Sequence, residues 1–436
     1  MAALPFREMM AALRADVHPP LYFAMLWAWI RLFGDGEASV RLLSGFLYLL
    51  TAGAVFGAAR ALFGRPAALA CAIVFAASPL AVLTASLVRM YSLMTLLGTL
   101  SLWGFFALAR KPSLATLLIY SLVNAAGLFT HVWFCFLLLA QAVVYLWVWR
   151  AEQIGWWIGA AALSCAPYAA LWLPVMLRQL GGTSQTLAWV PAPTAGSLLE
   201  TIGLQLGPAI LVVPAAWWFK RSRPPGLAAV CLSIAAIAIL APIALSFWKP
   251  VFWARFTVVA LPAVALAAGA VMATASHRAE IALALLACGL QLGLAATPRH
   301  CDPRWTAQWL AEHARPGDTV IYTNISRPAI DHYWDRIDAT RRLEEFSFPR
   351  EIDDHPGYAG QQGREALEAG AAEIASQQKE KPVGSRIFLL HGFRPEQDAI
   401  VLRRLSQALT PRPEQGHQCA GLNNYISRIS VFENTR

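Results

Sequence analysis

RKPSLATLLIYSLVNAAGLFTHVWF, residues 110–134, joins a basic loop, a long apolar run and a polar turn. The apolar run near 113–130 is long enough to cross a bilayer as a helix, which takes about 17–25 residues. Arg110 and Lys111 precede this run and His131 follows it. The stretch therefore predicts a transmembrane helix with a basic loop at one end and an ionisable turn at the other.

The same pattern recurs along most of the chain. Apolar residues make up 57% of the sequence and charged residues only 14%, whereas about 25% of the residues in a soluble domain are charged. Runs long enough to span a membrane occur near 42–63, 66–83, 91–109, 113–130, 132–149, 156–177, 201–219, 227–247, 256–274 and 279–297. The sequence therefore predicts an α-helical polytopic membrane protein of about ten spans.

Acidic residues divide the chain into parts. Between Glu37 and Asp302 the only acids are Glu152, Glu200 and Glu280, and from Asp302 onward acids and bases return at the density of a soluble protein. We therefore expect an interfacial segment over 1–40, a transmembrane helical domain over 41–297 and a soluble domain over 298–436.

The soluble part alternates helix and strand patterns. Helical periodicity is found in RWTAQWLAEHA (304–314), GREALEAGAAEIASQQ (363–378) and EQDAIVLRRLSQAL (396–409), and buried strands are indicated by DTVIYT (318–323) and SRIFLLHG (385–392). This order predicts a small α/β domain. It contains no glycine-rich phosphate loop and no nucleophile elbow, so nothing in it requires catalysis.

Basic residues fall on alternate loops between the spans, as membrane topology requires. These loops are expected to be cytoplasmic, so the other loops and the C-terminal domain would face the outside of a bacterial inner membrane. The formal charge of +9 is spread over span ends rather than gathered in a patch, so nucleic acid is not an expected partner. The residues that set this orientation are Arg60, Arg65, Arg110, Lys111, Arg150, Lys220, Arg221, Arg223 and Arg278.

The N-terminal region is expected on the outer side as well. Residues 5–33 would form one or two interfacial helices with Tyr22, Trp27, Trp29 and Phe33 at headgroup depth. No signal peptide precedes them. We expect that a first span is missing from the sequence through truncation or a misassigned start codon, and insertion of residues 21–33 despite their length is the alternative.

The seven cysteines are scattered without C-x-x-C or metal-ligand spacing. Five lie in apolar runs, where a thiol is simply a small hydrophobic group. Cys301 and Cys419 could pair in an extracytoplasmic domain.

Asp16 and His18 stand in ADVHPPLYF (15–23), at the entrance to an apolar run. The prolines at 19 and 20 suit the first turn of a helix and hold His18 extended, and a helix N-terminus favours an anion nearby. Taken alone, the pair is more typical of a helix cap.

Arg89 and Tyr91 stand in SLVRMYSLM (86–94), between two spans. A charged side chain there is costly unless it is paired or faces a polar cavity, which makes it a candidate functional residue. Snorkelling at a span end also explains an arginine, and a place in the aromatic belt explains Tyr91.

His131, in FTHVW (129–133), occupies an outer turn where imidazole can bind phosphate, ligate a metal or carry a proton.

Lys249 and Arg255, in KPVFWARF (249–256), can hold a phosphate by charge-assisted hydrogen bonds, and interfacial anchoring is the alternative. Because all these residues map to the same membrane face, the sequence favours one shared extracytoplasmic pocket for a lipid-linked phosphate.

Several motifs, in this order, resemble the bacterial membrane glycosyltransferases of the glycosyltransferase-C fold, relatives of protein O-mannosyltransferases and lipid A aminoarabinose transferases. The similarity runs from about residue 5 to residue 330. The motifs are DVHPPLYF with RLFGDGEASVRLLSG (16–45), RALFGRPAALA (60–70), SP with VRMYSL (78–93), FTHVW (129–133), PVFWARF (250–256) and the strand entry RPGDTVIYT (315–323).

The resemblance implies an inverting transferase that takes a sugar from a polyprenyl-phosphate donor on the outer face and passes it to a lipid, glycan or protein acceptor. It implies a carboxylate base and basic residues that stabilise the departing phosphate. Asp16 would be the candidate base near the sugar or acceptor, although the acidic motif that supplies the family's base should lie before Met1. Some relatives use a divalent metal and others none, so the resemblance leaves that cofactor open. The candidates for binding the donor phosphate or the substrate are His18, Arg89, Tyr91, His131, Lys249 and Arg255.

Two other classes of protein stay open at this point. A transporter or flippase of lipid-linked saccharides would be favoured by internal repeats or mid-span charges, and the sequence shows neither. A non-catalytic binder of lipid-linked saccharides is kept open by the absent acidic motif.

Overall fold

The computed structural model of the protein describes residues 2–15, 18–149, 153–182, 192–207, 209–210, 226–249, 251–272, 282, 285–286, 289, 302–338, 342–350, 363–392, 395–418 and 428–435. The chain divides into two compact units, Met1–Ala295 and Ala296–Arg436. Each unit has its own hydrophobic core.

The first unit begins with helices α1 (Phe6–Ala15), α2 (Leu21–Phe33) and α3 (Glu37–Phe63). Helices α2 and α3 end at Gly34 and Gly64, whose positive φ angles of 80° and 88° suit residues without a Cβ. The sequence predicted one or two helices over 5–33, and the structure has two. The side chain of Tyr22 is fully buried, because α2 packs against α3 and α7 (Leu114–Thr130).

The predicted span over 66–83 is a bent pair, α4 (Arg65–Ala77) and α5 (Pro79–Ser86), whose axes differ by 59°. Ser78 marks the break. Its hydroxyl accepts a hydrogen bond from the backbone N–H of Ala81 at 3.4 Å and donates one to the carbonyl oxygen of Leu204 at 2.9 Å. Backbone groups freed by the bend are thus satisfied within the protein, as buried backbone requires.

Three further helices follow with short turns: α6 (Tyr91–Arg110), α7 (Leu114–Thr130) and α8 (Phe134–Trp149). Ser113 caps α7 by accepting a hydrogen bond from the backbone N–H of Thr116 at 3.2 Å. Helix α6 lies between α3 and α7, and most of its side chains are buried.

The rest of the first unit contains α9 (Ile154–Leu171), α10 (Leu173–Gly182), α11 (Ala195–Leu206), α12 (Gly226–Ser246), a 3-10 helix (Ala254–Ala260) and α13 (Leu261–Met272). The predicted continuous span over 156–177 is therefore broken at Trp172. Helix α13 packs closely on α4 at Gly269. A Cβ at this position of α13 would stand 2.4 Å from Cα of Cys71 in α4, so the close approach requires a glycine.

Membrane-spanning length is reached by five helices among the described residues, or six if the bent pair is one span. The described residues also include three shorter apolar helices, Leu21–Phe33, Leu114–Thr130 and Phe134–Trp149. The last predicted span, 279–297, falls almost wholly outside the described residues, as does 211–219 of the span over 201–219. The fold is that of a polytopic helical membrane protein with a small C-terminal α/β part.

The second unit contains α14 (Pro303–His313), β1 (Thr319–Thr323), α15 (Arg327–Ile337), β2 (Glu344–Phe348), α16 (Arg364–Lys379), β3 (Arg386–His391), α17 (Pro395–Ala408), β4 (Thr410–Pro411), β5 (His417–Gln418) and β6 (Arg428–Glu433). The three helices and two strands predicted from the sequence are all present. Helix α15 and strands β2 and β6 were not predicted.

The strands form one sheet in the order β2-β1-β3-β6-β4, with β5 also paired to β6. Strands β2, β1 and β3 run parallel, and β6 runs antiparallel to β3. One apolar core joins α16 and α17 to the sheet through residues such as Ile374 and Val401. A second joins α14 and α15 through Leu310 and Trp334, so the sheet is covered on two sides. The proposed Cys301–Cys419 pair lies outside the described residues.

Candidate functional site

The turn between α7 and α8 fixes the tautomer of the His131 imidazole. The ring of Phe134 packs on Gly127, where an added Cβ would stand 2.4 Å from it, so the two helices approach closely beneath the turn. The Nδ1 atom of His131 accepts a hydrogen bond from the backbone N–H of Trp133 at 3.1 Å. The ring proton of the neutral imidazole is therefore on Nε2, which is left as a donor.

His131 is an uncharged donor at neutral pH. Its side chain is buried, and this desolvation, with a smaller contribution from nearby His18, lowers the pKa of His131 to about 3. The His18 ring also lies 6.0 Å from the ring of Phe23. The structure thus brings the predicted residues His18 and His131 into one neighbourhood.

Tyr91, the first residue of α6, lies beside His131. Their ring centroids are 6.1 Å apart, and both rings approach Phe256, at 6.3 Å from Tyr91 and 5.5 Å from His131. Trp133 packs on the same phenylalanine at 5.1 Å. An aromatic wall therefore lines this end of α6.

Arg255 reaches the same place from the 3-10 helix Ala254–Ala260. That helix is held by Gln205, whose Nε2 donates to the carbonyl oxygen of Thr257 at 2.8 Å and to its hydroxyl at 2.9 Å. The guanidinium of Arg255 lies 5.3 Å from the ring of Trp253, a cation–π contact. Its charge acts on the Tyr91 hydroxyl.

Arg89 approaches Tyr91 from the turn between α5 and α6. It is exposed, and its charge acts on the hydroxyls of both Tyr91 and Tyr22. Within the described part of the chain, neither Arg89 nor Arg255 has a carboxylate partner within salt-bridge distance. Arg89 and Arg255 therefore both lie near Tyr91, and two positive charges in one place attract an anion.

The structure does not link the two other predicted residues to this cluster. Lys249 is exposed at the end of α12, and no contact among the described residues links it to Tyr91 or His131. Asp16, the candidate base, lies outside the described residues. The structure thus gathers His18, Arg89, Tyr91, His131 and Arg255, while the roles of all seven stay predictions.

The described part of the first unit contains four carboxylates, and none of them forms an ion pair with Arg89 or Arg255. Glu8, Asp35 and Glu200 are exposed, and Glu37 pairs with Arg41 at 2.9 Å. Among the described residues there is no group of three His, Cys, Asp or Glu side chains placed to hold a metal ion. The gathered cluster is thus cationic and aromatic.

Sequence reasoning missed Tyr22 as a neighbour of this cluster. Its hydroxyl is buried near Ser44 and Arg89 and makes no hydrogen bond of normal geometry among the described residues. The sequence assigned it to the interfacial belt because Trp27, Trp29 and Phe33 surround it. Its position next to the two prolines, at the turn that carries His18, was the available signal.

A buried polar network in the helical core was also missed. The Ser101 hydroxyl donates to Oδ1 of Asn124 at 2.6 Å and accepts from Nε2 of Gln141 at 2.9 Å. The Tyr120 hydroxyl donates to Oε1 of Gln141 at 2.5 Å. These bonds tie α6, α7 and α8 together. Single polar residues inside apolar runs were the sequence signal for this network.

Comparisons with known proteins support the fold predicted from the motifs. A family model described as dolichyl-phosphate-mannose-protein mannosyltransferase matches residues 17–172, a range that includes His18, Arg89, Tyr91 and His131. No curated protein shows a significant match to the chain.

Solved structures of ArnT from Cupriavidus metallidurans are similar to this protein. The structure bound to undecaprenyl phosphate has a TM-score of 0.61 at 15% identity, covering 96% of this chain and 88% of that chain. The apo structure has a TM-score of 0.59 at the same identity and coverage. The predicted glycosyltransferase-C fold is therefore confirmed, and the matching family model is described as that of a mannosyltransferase.

Proposed function

We propose that the protein is a membrane glycosyltransferase that moves a sugar from a polyprenyl-phosphate donor to a lipid, glycan or protein acceptor. The observation that carries this proposal is the convergence of Arg89 and Arg255 on Tyr91 without a carboxylate partner among the described residues. The family model over residues 17–172 and the fold shared with a protein that binds undecaprenyl phosphate support the same function.

The geometry suits the phosphate of the donor. Arginine offers several N–H donors in a planar fork that matches phosphate oxygens, and here two arginines approach from different segments, the turn before α6 and the 3-10 helix. Nε2–H of His131 adds a neutral donor nearby. Because charge accumulates on the phosphate as the sugar leaves, these groups stabilise the transition state more than the ground state.

The proposed reaction is a single displacement. The hydroxyl oxygen of the acceptor forms a bond to the anomeric carbon while the bond from that carbon to the phosphate oxygen breaks. The electron pair goes to the phosphate, which Arg89 and Arg255 hold, and the hydroxyl proton goes to a carboxylate base. Asp16, two residues before His18, is the proposed base.

The orientation proposed from the basic loops places this chemistry on the extracytoplasmic face of a bacterial inner membrane. On the same grounds the unit Ala296–Arg436 would lie outside the membrane. Reporter fusions after α6 and after the second unit would test this, because the topology predicts opposite sides for Arg110 and Arg436.

The function is tested by transfer of radiolabelled sugar from a polyprenyl-phosphate donor in membranes that contain the protein. We expect transfer by the wild type and a loss with Arg255→Ala of about 100-fold or more, the cost of removing a donor to transition-state charge. Asp16→Asn should also lose transfer if Asp16 is the base.

The matched control is Arg110→Ala. Arg110 is exposed at the other end of α6, about 30 Å from Tyr91, and its side chain donates, among the described residues, to the carbonyl oxygen of Ala61 at 3.1 Å. It should keep transfer within about twofold of the wild type, because exposed surface contacts contribute little. Equal transfer by Arg255→Ala and Arg110→Ala would refute the assignment of the phosphate site.

A transporter of lipid-linked saccharides is the second candidate, because broken helices are common in transporters and the pair α4 and α5 is bent by 59°. The bend, however, carries no charge, and Ser78 is bonded to the protein itself. Movement of labelled lipid-linked sugar across proteoliposome membranes without transfer to any acceptor would favour the transporter.

A further inference from the structure

Helix α14 of the second unit carries three rings on successive turns. Trp305, Trp309 and His313 are spaced four residues apart and therefore lie on one face. The ring centroids of Trp305 and Trp309 are 6.4 Å apart with planes inclined by 24°, and those of Trp309 and His313 are 4.2 Å apart with planes inclined by 12°. None of these side chains is fully buried, and the ring of Trp305 also packs on His417 with centroids 4.6 Å apart, so the accessible surface of the stack is at Trp309 and His313.

A cavity of about 330 Å³ lies against this surface. This volume is at the lower end of the range of about 300–1,000 Å³ for small-molecule sites. We call the cavity and its walls the aromatic trough. Its lining residues are Trp309, His313, Arg386, Phe388, Glu414, Gln415 and Gly416.

Arg386 is fixed on one wall of the trough. Its Nη2 donates to Oδ2 of Asp318 at 2.7 Å and to the carbonyl oxygen of His313 at 2.7 Å. Its guanidinium lies 5.3 Å from the ring of Phe388. The charge of Arg386 is neutralised by Asp318, while the N–H groups that make neither bond are free to donate.

Glu414 and Gln415 supply acceptors on the other side. Both lie in a short 3-10 turn, Pro413–Gln415, and are exposed. Among the described residues, neither side chain makes a hydrogen bond or an ion pair. His313 adds an acceptor, because its Nδ1–H donates to the carbonyl oxygen of Trp309 at 2.7 Å and leaves the Nε2 lone pair free.

We propose that the aromatic trough binds a saccharide of one or two pyranose rings. A pyranose has an apolar face of C–H groups that stacks on an aromatic ring and a rim of hydroxyls that both donate and accept hydrogen bonds. The exposed ring of His313 and the part of Trp309 that lines the trough match the face. The hydroxyl rim is matched by the acceptors of Glu414 and Gln415 and by the donors of Arg386, which line the same cavity.

Other ligand classes fit this chemistry less well. An anion would meet the unpaired carboxylate of Glu414, and the charge of the lining arginine is already compensated by Asp318. A purely apolar ligand would leave Glu414, Gln415 and Arg386 without partners, which costs binding energy. The site goes beyond the proposed transferase function, since it belongs to the second unit and requires no donor lipid.

The test uses the full-length protein in detergent and saturation-transfer NMR, which observes the ligand and needs no catalysis. The probes are disaccharides of glucose, mannose, galactose and N-acetylglucosamine, each at millimolar concentration. We expect saturation of the C–H protons of at least one probe. The proposal would be overturned if none of the probes received saturation from the protein. It would also be overturned if inorganic phosphate at equal concentration displaced a bound probe.

Glu414→Gln should weaken binding of the responding disaccharide about tenfold, because a charged acceptor is replaced by a neutral one. It is exposed, so folding is not at risk. Glu365→Gln, an exposed glutamate at the start of α16, is the matched control and should bind like the wild type. Trp309→Ala should abolish binding and Trp309→Phe should retain part of it. Unchanged binding by both Glu414→Gln and Trp309→Ala would place the saccharide elsewhere.

Failure of this proposal is distinguishable from failure of the transferase function. Loss of disaccharide binding in Trp309→Ala is measured without the lipid donor. Loss of sugar transfer in Arg255→Ala is measured with a saturating acceptor.

Discussion

Two polar clusters of the first unit, both built on helix α6, differ in how their groups are satisfied. In the middle of the helix, Ser101 bonds Asn124 and Gln141, and Tyr120 bonds Gln141, so the cluster is closed on itself. At the start of the helix, about 15 Å away, Arg89 and Arg255 converge on Tyr91. Neither arginine has a carboxylate partner among the described residues.

The difference separates a structural role from a binding role. Polar groups buried between helices stabilise the bundle when they hydrogen-bond one another. Donors and acceptors that are paired in this way are not available to bind a ligand. Charges at the end of the bundle that pair with no carboxylate among the described residues can bind an external anion. The comparison therefore predicts that substitutions in the closed cluster change stability, and that substitutions in the open cluster change activity.

The largest expected effect is on activity in the open cluster. Arg89→Ala combined with Arg255→Ala should lower kcat for sugar transfer by about 1,000-fold or more, because both donors to the departing phosphate are lost. The thermal midpoint of unfolding should change little, since neither side chain has an ion-pair partner to lose among the described residues. Measurement of kcat in proteoliposomes and of unfolding in detergent checks both parts.

Lysine replacement sharpens the same prediction. Arg255→Lys keeps the charge but loses the planar fork, so its kcat should fall between the values for Arg255→Ala and the wild type. A kcat for Arg255→Lys equal to that for Arg255→Ala would mean that geometry rather than charge dominates.

The next effect is on stability in the closed cluster. Gln141→Leu leaves the Tyr120 hydroxyl and one bond of Ser101 unmade, which should cost about 1–2 kcal/mol of unfolding free energy. Activity per folded molecule should stay within about twofold of wild type. Val143→Leu, an exposed substitution on the same helix, is the control. A large loss of transfer without loss of stability in Gln141→Leu would break the distinction between the two clusters.

His131 gives a smaller effect that depends on pH. Its pKa is lowered to about 3 in the folded protein, chiefly by burial, while that of an unfolded chain is about 6.5. The folded state therefore binds fewer protons than the unfolded state between these values. Its contribution to stability is complete above pH 6.5 and is lost as the pH falls toward 3.

His131→Gln should remove this part of the acid sensitivity while keeping an N–H donor. Unfolding midpoints measured from pH 7 to pH 4 should fall less for His131→Gln than for the wild type. An equal fall in both proteins would mean that His131 is protonated in the folded state.

The smallest effect is expected for Lys249. The sequence grouped it with Arg255, but no contact among the described residues links it to the cluster. Lys249→Ala should keep the transfer rate within about twofold of wild type. A loss comparable to that of Arg255→Ala would extend the open cluster to the end of α12.

Apolar periodicity was enough to predict most helices of the first unit, because a run such as 91–109 has only one way to satisfy its backbone in lipid. It did not predict the bend at Ser78 or the break at Trp172, since both depend on tertiary contacts. In the second unit the sequence predicted β1 and β3, whose side chains are almost all buried. It missed β2, which begins with two glutamates and pairs at the edge of the sheet.

The candidate site was predictable as a set of residues but not as a geometry. Arg89, His131 and Arg255 stood out because ionisable groups are rare near spans. Tyr22 did not, because burial of one aromatic among several depends on which face of α2 meets α3. Among the described residues Arg255 acts on Tyr91 and Lys249 makes no contact with the cluster, a difference that depends on packing and not on sequence spacing.

The most direct test of the central claim is the preference of the protein for a phosphate on the lipid. Equilibrium binding of undecaprenyl phosphate and of the matching undecaprenol would be measured for the wild type, Arg255→Ala and Arg110→Ala in detergent. We predict that the wild type and Arg110→Ala bind the phosphate at least about tenfold more tightly than the alcohol, and that Arg255→Ala loses this preference. An undiminished preference in Arg255→Ala would contradict the assignment of the open cluster as the donor phosphate site.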